Sequence, residues 1–388
     1  MNNILFSNIL NLPINRIILF GIIIRVFFLF LNSENPISAS SGDAIVFHNL
    51  GLDFYCTLSW KYSLCKSSVP FEFTLEWIYS YYLGFLYFLT YPSIIIAGLS
   101  SSIFWFFSCI VFKLISQQLG IKKNMTLCFF IYALLPSSVV ISSISLREIY
   151  QLFFFSLLIF YCVIFLKHQK LITFFKILLC SFFLIILHWS FIITCFLILI
   201  LLVYFTFVFD EKFNLNLVLK SMLLIFLLVS FFFSFWGFFY KNLSLLYYKF
   251  SVFFSEGILD AILKYRSGHN ISRATYYVTG ELDENILIFF SKVIIYYFLK
   301  PFPFDGNLIF QDYVLIFENF LRLYLIFYAT KNVLSGANKI YIFVFTAILI
   351  LELIWAAGTV NYGTAVRHHY VSLLTLLVLF SYKFKKNI

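Results

Sequence analysis

Charged side chains are scarce in this chain of 388 residues: they make up 11%, while 62% is hydrophobic. Soluble domains carry roughly 25% charged residues. Such a shortage, with a mean hydropathy of +0.97, excludes an ordinary water-soluble fold. The chain also has no Gly-rich phosphate loop, no CxxC pair and no HExxH. It therefore lacks the sequence signatures of nucleotide-phosphate loops, thioredoxin-like redox sites and zinc proteases. No segment is long and polar enough for a separate soluble domain, and no internal repeat stands out. Residues 1–388 read as a single polytopic membrane domain. Ala and Gly are few while Phe, Ile, Tyr, Asn and Lys abound, a bias that fits an A+T-rich genome better than any function.

What the chain does have is a succession of apolar runs near the ~20 residues a spanning helix needs. They fall at 14–31, 74–91, 93–115, 125–142, 149–166, 171–187, 189–209, 217–239, 286–300, 313–329, 340–357 and 369–382. The expectation is an all-α bundle of about 10–12 transmembrane spans. The first run is long, carries Arg25 and is followed by no small-residue cleavage site, so it reads as an uncleaved span. The net charge of +10 is spread over short loops instead of one basic face, which argues against nucleic acid. Lys and Arg retained in cytoplasmic loops explain it: Lys113, Lys122 and Lys123, the KHQK of 167–170, Lys212 and Lys220, Lys331 and Lys339, and the tail KFKKNI. The opposite loops, chiefly 32–73, 240–285 and 358–369, should face out. Strict alternation then clashes near 74–115 and near 286–300, so one segment in each region is expected to be re-entrant or interfacial. Cys109, Cys128, Cys162, Cys180 and Cys195 fall in apolar runs and read as small core residues. Cys56 and Cys65 share the first outer loop, where a disulfide is one option.

Ionisable groups near a bilayer cost energy and so carry information. Most of them fall on the expected outer side. Asp43, His48 and Asp53 follow span one in SSGDAIVFHNLGLDFY; Arg147 and Glu148 follow LLPSSVVISSISL; His188 opens HWS. Arg266, His269 and Arg273 lie in YRSGHNISRATYY, Asp305 in KPFPFDG, and Arg367, His368 and His369 in NYGTAVRHH. Acids, histidines and arginines at one edge of a bundle suit a phosphorylated lipid and a polar substrate. A carboxylate can take a proton from an attacking hydroxyl, and a guanidinium can hold a leaving phosphate. Asp43 is the expected base, and Arg367, then Arg147 and Arg273, are the expected phosphate ligands. His48, His368, Glu148 and Arg266 complete the candidate binding set. GDAIVFH reads as the start of an amphipathic interfacial helix. Asp43 as its cap is the rival role, and Gly42 would permit close approach. No histidine spacing supports zinc; Mg²⁺ or Mn²⁺ on Asp43 is the only metal considered.

An Asp in a D-x-x-x-[FY]-H or D-x-x-x-Y context just after the first span resembles the GT-C superfamily of polyprenyl-phosphate-dependent glycosyltransferases. ALLPSSVVISSISLREIYQLFFF resembles the same family, with a Pro closing one helix and a charged pair, Arg147 and Glu148, opening the next. KPFPFDG, the ENF of 318–320 and NYGTAVRHHY are similar to segments of bacterial surface-polysaccharide membrane proteins, O-antigen polymerases among them. The resemblance implies a membrane glycosyltransferase with Asp43 as base. Its partners would be a polyprenyl-phosphate-linked sugar donor, a glycan or lipid acceptor, and membrane lipids, in a bacterial plasma membrane with the site outside. The alternatives are a polysaccharide polymerase with a basic outer loop 240–285, and a lipid or polysaccharide transporter. For a transporter, Arg25, Arg322, Glu318 and Glu352 are the charges that approach midspan.

Overall fold

A computed structural model describes residues 13–34, 38–60, 77–121, 124–209, 266, 286–306 and 308–382. The described residues form thirteen helices and no strand. In chain order these are α1 Pro13–Glu34, α2 Ser38–Ser59, α3 Ile78–Leu89, α4 Ile94–Gln118, α5 Met125–Leu134, α6 Pro136–Ile141 and α7 Glu148–His168. They continue with α8 Leu171–Leu187, α9 Phe191–Phe209, α10 Ile286–Leu299, α11 Phe310–Leu334, α12 Lys339–Gly358 and α13 Tyr362–Ser381. The expected all-α membrane bundle is what the chain forms. Five helices, α1, α4, α7, α11 and α12, are long and apolar enough to cross a membrane. The span expected at 217–239 lies outside the described residues.

Two expected spans change. In place of 74–91 there is α3, whose 12 residues rise about 18 Å, well short of the ~30 Å hydrocarbon core. The span expected at 286–300 is matched by α10, Ile286–Leu299, with the residues just before it outside the described ones. Both α3 and α10 fall in the regions where loop alternation clashes. The run 125–142 is cut at Leu135, whose ψ of 124° is the extended conformation that a following proline imposes. Pro136 then opens α6, where its missing N–H costs nothing.

After α6 the backbone leaves the helix while staying inside the bundle. Ser142, Ser143 and Ser145 are fully buried, so their surroundings must satisfy the chain. Ser101 Oγ donates to the Ile144 carbonyl at 2.8 Å, Ser102 Oγ to the Ser142 carbonyl at 3.2 Å, and Ser145 Oγ to the Ala44 carbonyl at 2.9 Å. Gly98 of α4 admits this segment, because a Cβ there would overlap the Ser143 carbonyl and the Leu29 side chain. Arg25 ties α1 to the same region. It is fully buried. Its Nε donates to Ser142 Oγ at 2.6 Å, Nη1 to the Gly21 and Ala133 carbonyls at 2.9 Å, and Nη2 to Ser138 Oγ at 2.8 Å. The guanidinium also lies 3.6 Å from the Trp105 ring centroid. This midspan charge is held by neutral acceptors.

The bundle has two chemically distinct ends. At one, Lys113 donates to Asn15 at 2.5 Å, Lys167 to the Gln118 carbonyl, and Asn338 to the Tyr382 hydroxyl at 3.1 Å. Lys331 and Lys339 flank the α11–α12 turn there. The basic groups expected to share one side do share an end; Lys122, Lys123, Lys212, Lys220 and the tail beyond Tyr382 lie outside the described residues. The other end gathers Asp43, Arg147, Glu148, His188, Arg367 and His368.

Candidate functional site

The polar end is built where the N-termini of α7, α9 and α13 meet the C-termini of α8 and α12, beside the first turns of α2. Asn361 starts α13: its side chain accepts from the Thr364 N–H at 2.8 Å, a cap whose loss costs about 0.5–2 kcal/mol. The cap fixes the first turns of α13 and so aims Arg367. The Arg367 Nη1 donates to Asp43 Oδ2, while its Nε lies 3.6 Å from Glu148 Oε1. Three elements 324 positions apart at their extremes thus converge on one guanidinium. Arg367 Nη2 makes no hydrogen bond among the described residues. Glu148 occupies the first turn of α7, where the positive end of the helix dipole favours a carboxylate. The Asp43 side chain is 54% exposed and that of Glu148 only 6%. One acid faces out and the other in.

Arg147 stands beside this pair. Its Nη1 donates to the Leu187 carbonyl at 3.3 Å, and its guanidinium lies 5.5 Å from the Phe47 ring centroid. His368 stacks on Trp355 at 3.7 Å and its Nδ1 meets Thr359 Oγ1 at 2.8 Å. His188 joins the same wall, 4.8 Å from the Trp355 ring. Asp43, Arg147, Glu148, Arg367 and His368 are therefore brought together as the sequence led one to expect.

Other expectations go elsewhere. His48 Nδ1 pairs with the Tyr87 hydroxyl of α3 at 2.7 Å, which fastens α2 to α3. Arg266 is buried and its Nη1 donates to the Ala357 and Thr359 carbonyls at 3.0 Å, satisfying acceptors that the end of α12 leaves without intrahelical partners. It props the site without opening onto it. Arg273 lies outside the described residues, as does Cys65; Cys56 is fully buried on α2. Asp305 pairs with Lys300 at 3.0 Å within its own turn. Asp43 cannot cap α2, because the helix starts five residues earlier at Ser38. Gly42 meets nothing within 4 Å, so no close packing explains it. Among the described residues no group of three or more His, Cys, Asp or Glu is placed to hold a metal ion.

Two features escape a residue-by-residue reading. The first is a buried network deeper along α12 and α13. Glu352 Oε2 accepts from the Tyr297 hydroxyl at 3.0 Å and lies 2.7 Å from His369 Nδ1; Glu352 Oε1 accepts from Ser372. His369 Nε2 faces the Tyr297 carbonyl at 3.0 Å. A carbonyl only accepts, so Nε2 carries hydrogen. One further proton then lies between Nδ1 and Oε2, and the pair is neutral as a whole. Glu352 approaches midspan in the sequence, but His369 is expected at the outer edge; the structure instead buries it inside α13, because the helix starts at Tyr362 and not at 369, and nothing in the sequence pairs the two. The second is Gln151, one turn below Glu148, buried with neither amide atom hydrogen-bonded. Comparison with protein-family models, with curated proteins and with solved structures gave no match.

Proposed function

We propose that this chain is a membrane glycosyltransferase that moves a sugar from a polyprenyl-phosphate donor to a glycan or lipid acceptor. The observation that carries this reading is the Asp43–Arg367–Glu148 cluster at the end of the bundle opposite the lysines. In the proposed reaction an acceptor hydroxyl attacks the anomeric carbon. Asp43, accessible and paired with the Arg367 guanidinium, receives the hydroxyl proton; a general base of this kind contributes typically ~10² to 10⁴-fold. The bond between the anomeric carbon and the phosphate oxygen breaks, and the lipid phosphate departs with the electron pair. Arg367 carries its charge there, and its Nη2 is the arm left for a phosphate oxygen. Arg147 adds a second positive charge to the same end.

Lysine in place of Arg367 keeps the charge and loses the planar fork. In lipid nanodiscs, Arg367→Lys is expected to weaken binding of undecaprenyl phosphate by about tenfold; unchanged affinity would remove Arg367 from the phosphate role.

The reading also places the polar end outside a bacterial plasma membrane, in keeping with lysine retention on the cytoplasmic side. In intact cells, a cysteine replacing the exposed Gly42 should react with an impermeant maleimide, whereas one replacing Lys167 should not. The reverse pattern would turn the site to the cytoplasm.

A further inference from the structure

Gln151 sits in a sector of α7 that its neighbours define. Glu148, three residues earlier, meets Arg367 of α13. Phe154, three residues later, stacks on Phe183 of α8 at 4.8 Å. Tyr150 and Phe153, on the far side, lie 4.3 and 5.3 Å from Phe104 of α4. At 100° per residue Gln151 therefore points between α13 and α8, about 4.5 Å inward from Glu148 along the helix axis. His188 caps the C-terminus of α8, and Trp355 lies against both His188 and His368.

Gln151 is 1% exposed and Glu148 4%. The amide oxygen and nitrogen of Gln151, Oε2 of Glu148 and the indole Nε1 of Trp355 are all buried without a hydrogen-bond partner among the described residues. Burying polar groups without partners is costly, and native proteins keep few of them. Gln151 and Glu148 lie three residues apart on α7, and Trp355 stacks on His368, the neighbour of Arg367; their unpartnered atoms offer two donors and two acceptors, the mixture that sugar hydroxyls match because each both donates and accepts.

We infer that Gln151, with the inner oxygen of Glu148 and the Trp355 indole, forms a subsite for the hydroxyls of the donor sugar, below the phosphate held by Arg367. This rests on the reading of the chain as a polyprenyl-phosphate sugar transferase. It assigns the sugar to the inner side of Arg367 and the acceptor to the outer side, where Asp43 is exposed. A site built to hydrogen-bond a hydroxyl discriminates strongly against a ligand that lacks it, so the subsite makes the sugar, and not the lipid, the determinant of choice.

The test uses the full chain in nanodiscs and two kinds of ligand. One is bare undecaprenyl phosphate. The other is a panel of undecaprenyl-phosphate sugars carrying glucose, galactose, mannose or N-acetylglucosamine. At least one sugar lipid should bind wild type more tightly than the bare lipid. Gln151→Leu should weaken that sugar lipid at least about tenfold and leave the bare lipid within about twofold. The variant should also melt no lower than wild type, since it removes an amide that bonds to nothing. Three results would overturn the subsite while leaving the phosphate role of Arg367 intact: no sugar in the panel improves binding, Gln151→Leu treats both ligands alike, or it lowers the melting temperature. If wild type binds neither kind of ligand, the donor reading fails and the subsite with it.

Discussion

Asp43→Asn is expected to cut sugar transfer at least ~100-fold in protein that expresses, inserts and melts as wild type does. The side chain is half exposed and belongs to the interior of α2, so the change removes neither core packing nor a cap. Its contact with Arg367 survives in part, because the asparagine oxygen still accepts from Nη1. What disappears is the negative charge and the ability to hold a proton. An exposed ion pair of this kind contributes only about 0–1 kcal/mol to stability, too little to account for a hundredfold loss through unfolding. The measurement is transfer from a radiolabelled polyprenyl-phosphate sugar by reconstituted protein, with a melting curve beside it. Near-normal transfer would eliminate Asp43 as the base and leave Glu148, buried on the other side of Arg367, as the remaining carboxylate of the cluster.

The largest stability effect is expected at Glu352. In Glu352→Leu the Tyr297 hydroxyl and His369 Nδ1 lose their Glu352 partner inside the bundle, and the Ser372 hydroxyl keeps only the His369 carbonyl. Removing one member of a buried, hydrogen-bonded pair typically costs 3–5 kcal/mol, so this variant should unfold about that much more readily in detergent. Glu352→Gln behaves differently. Its amide NH₂ can donate to a neutral His369 Nδ1 while its carbonyl accepts from a hydroxyl, so the cost should be about 1 kcal/mol. Equal losses in the two variants would mean that the carboxylate charge itself, and not the hydrogen-bond pattern, holds α10, α12 and α13 together.

The bundle was legible from apolar run length alone, because hydrocarbon thickness fixes how many residues a crossing helix needs. Breaks within runs were harder to read. Pro136 lies inside an apolar stretch, and only the Arg25 hydrogen bonds and the serine contacts around 142–145 make an irregular segment affordable at that depth. The candidate site was largely visible, since Asp43, Arg147, Glu148, Arg367 and His368 all sit at helix ends on one side of the charge pattern. His48 and Arg266 look the same in sequence; what separates them is a tertiary partner, the Tyr87 hydroxyl in one case and the α12 carbonyls in the other. Gln151 was invisible because a neutral residue in an apolar run carries no charge signal, and its meaning comes from the hydrogen bonds it fails to make.

The latch at Arg25 has a consequence for the order of synthesis. Its carbonyl and hydroxyl partners beyond its own helix lie 107 to 117 residues further along. While the ribosome is still making them, the first helix enters the membrane with an arginine near its middle and only the Gly21 carbonyl of its own helix to bond. On insertion scales that burden is about 2.5–3.5 kcal/mol, which the apolar residues around it must outweigh unaided. Once α5 and α6 arrive, the same residue becomes the reason they settle against α1. The arginine thus opposes the first step of assembly and drives a later one, so the first helix reaches its final place only after the serine-rich segment has been delivered.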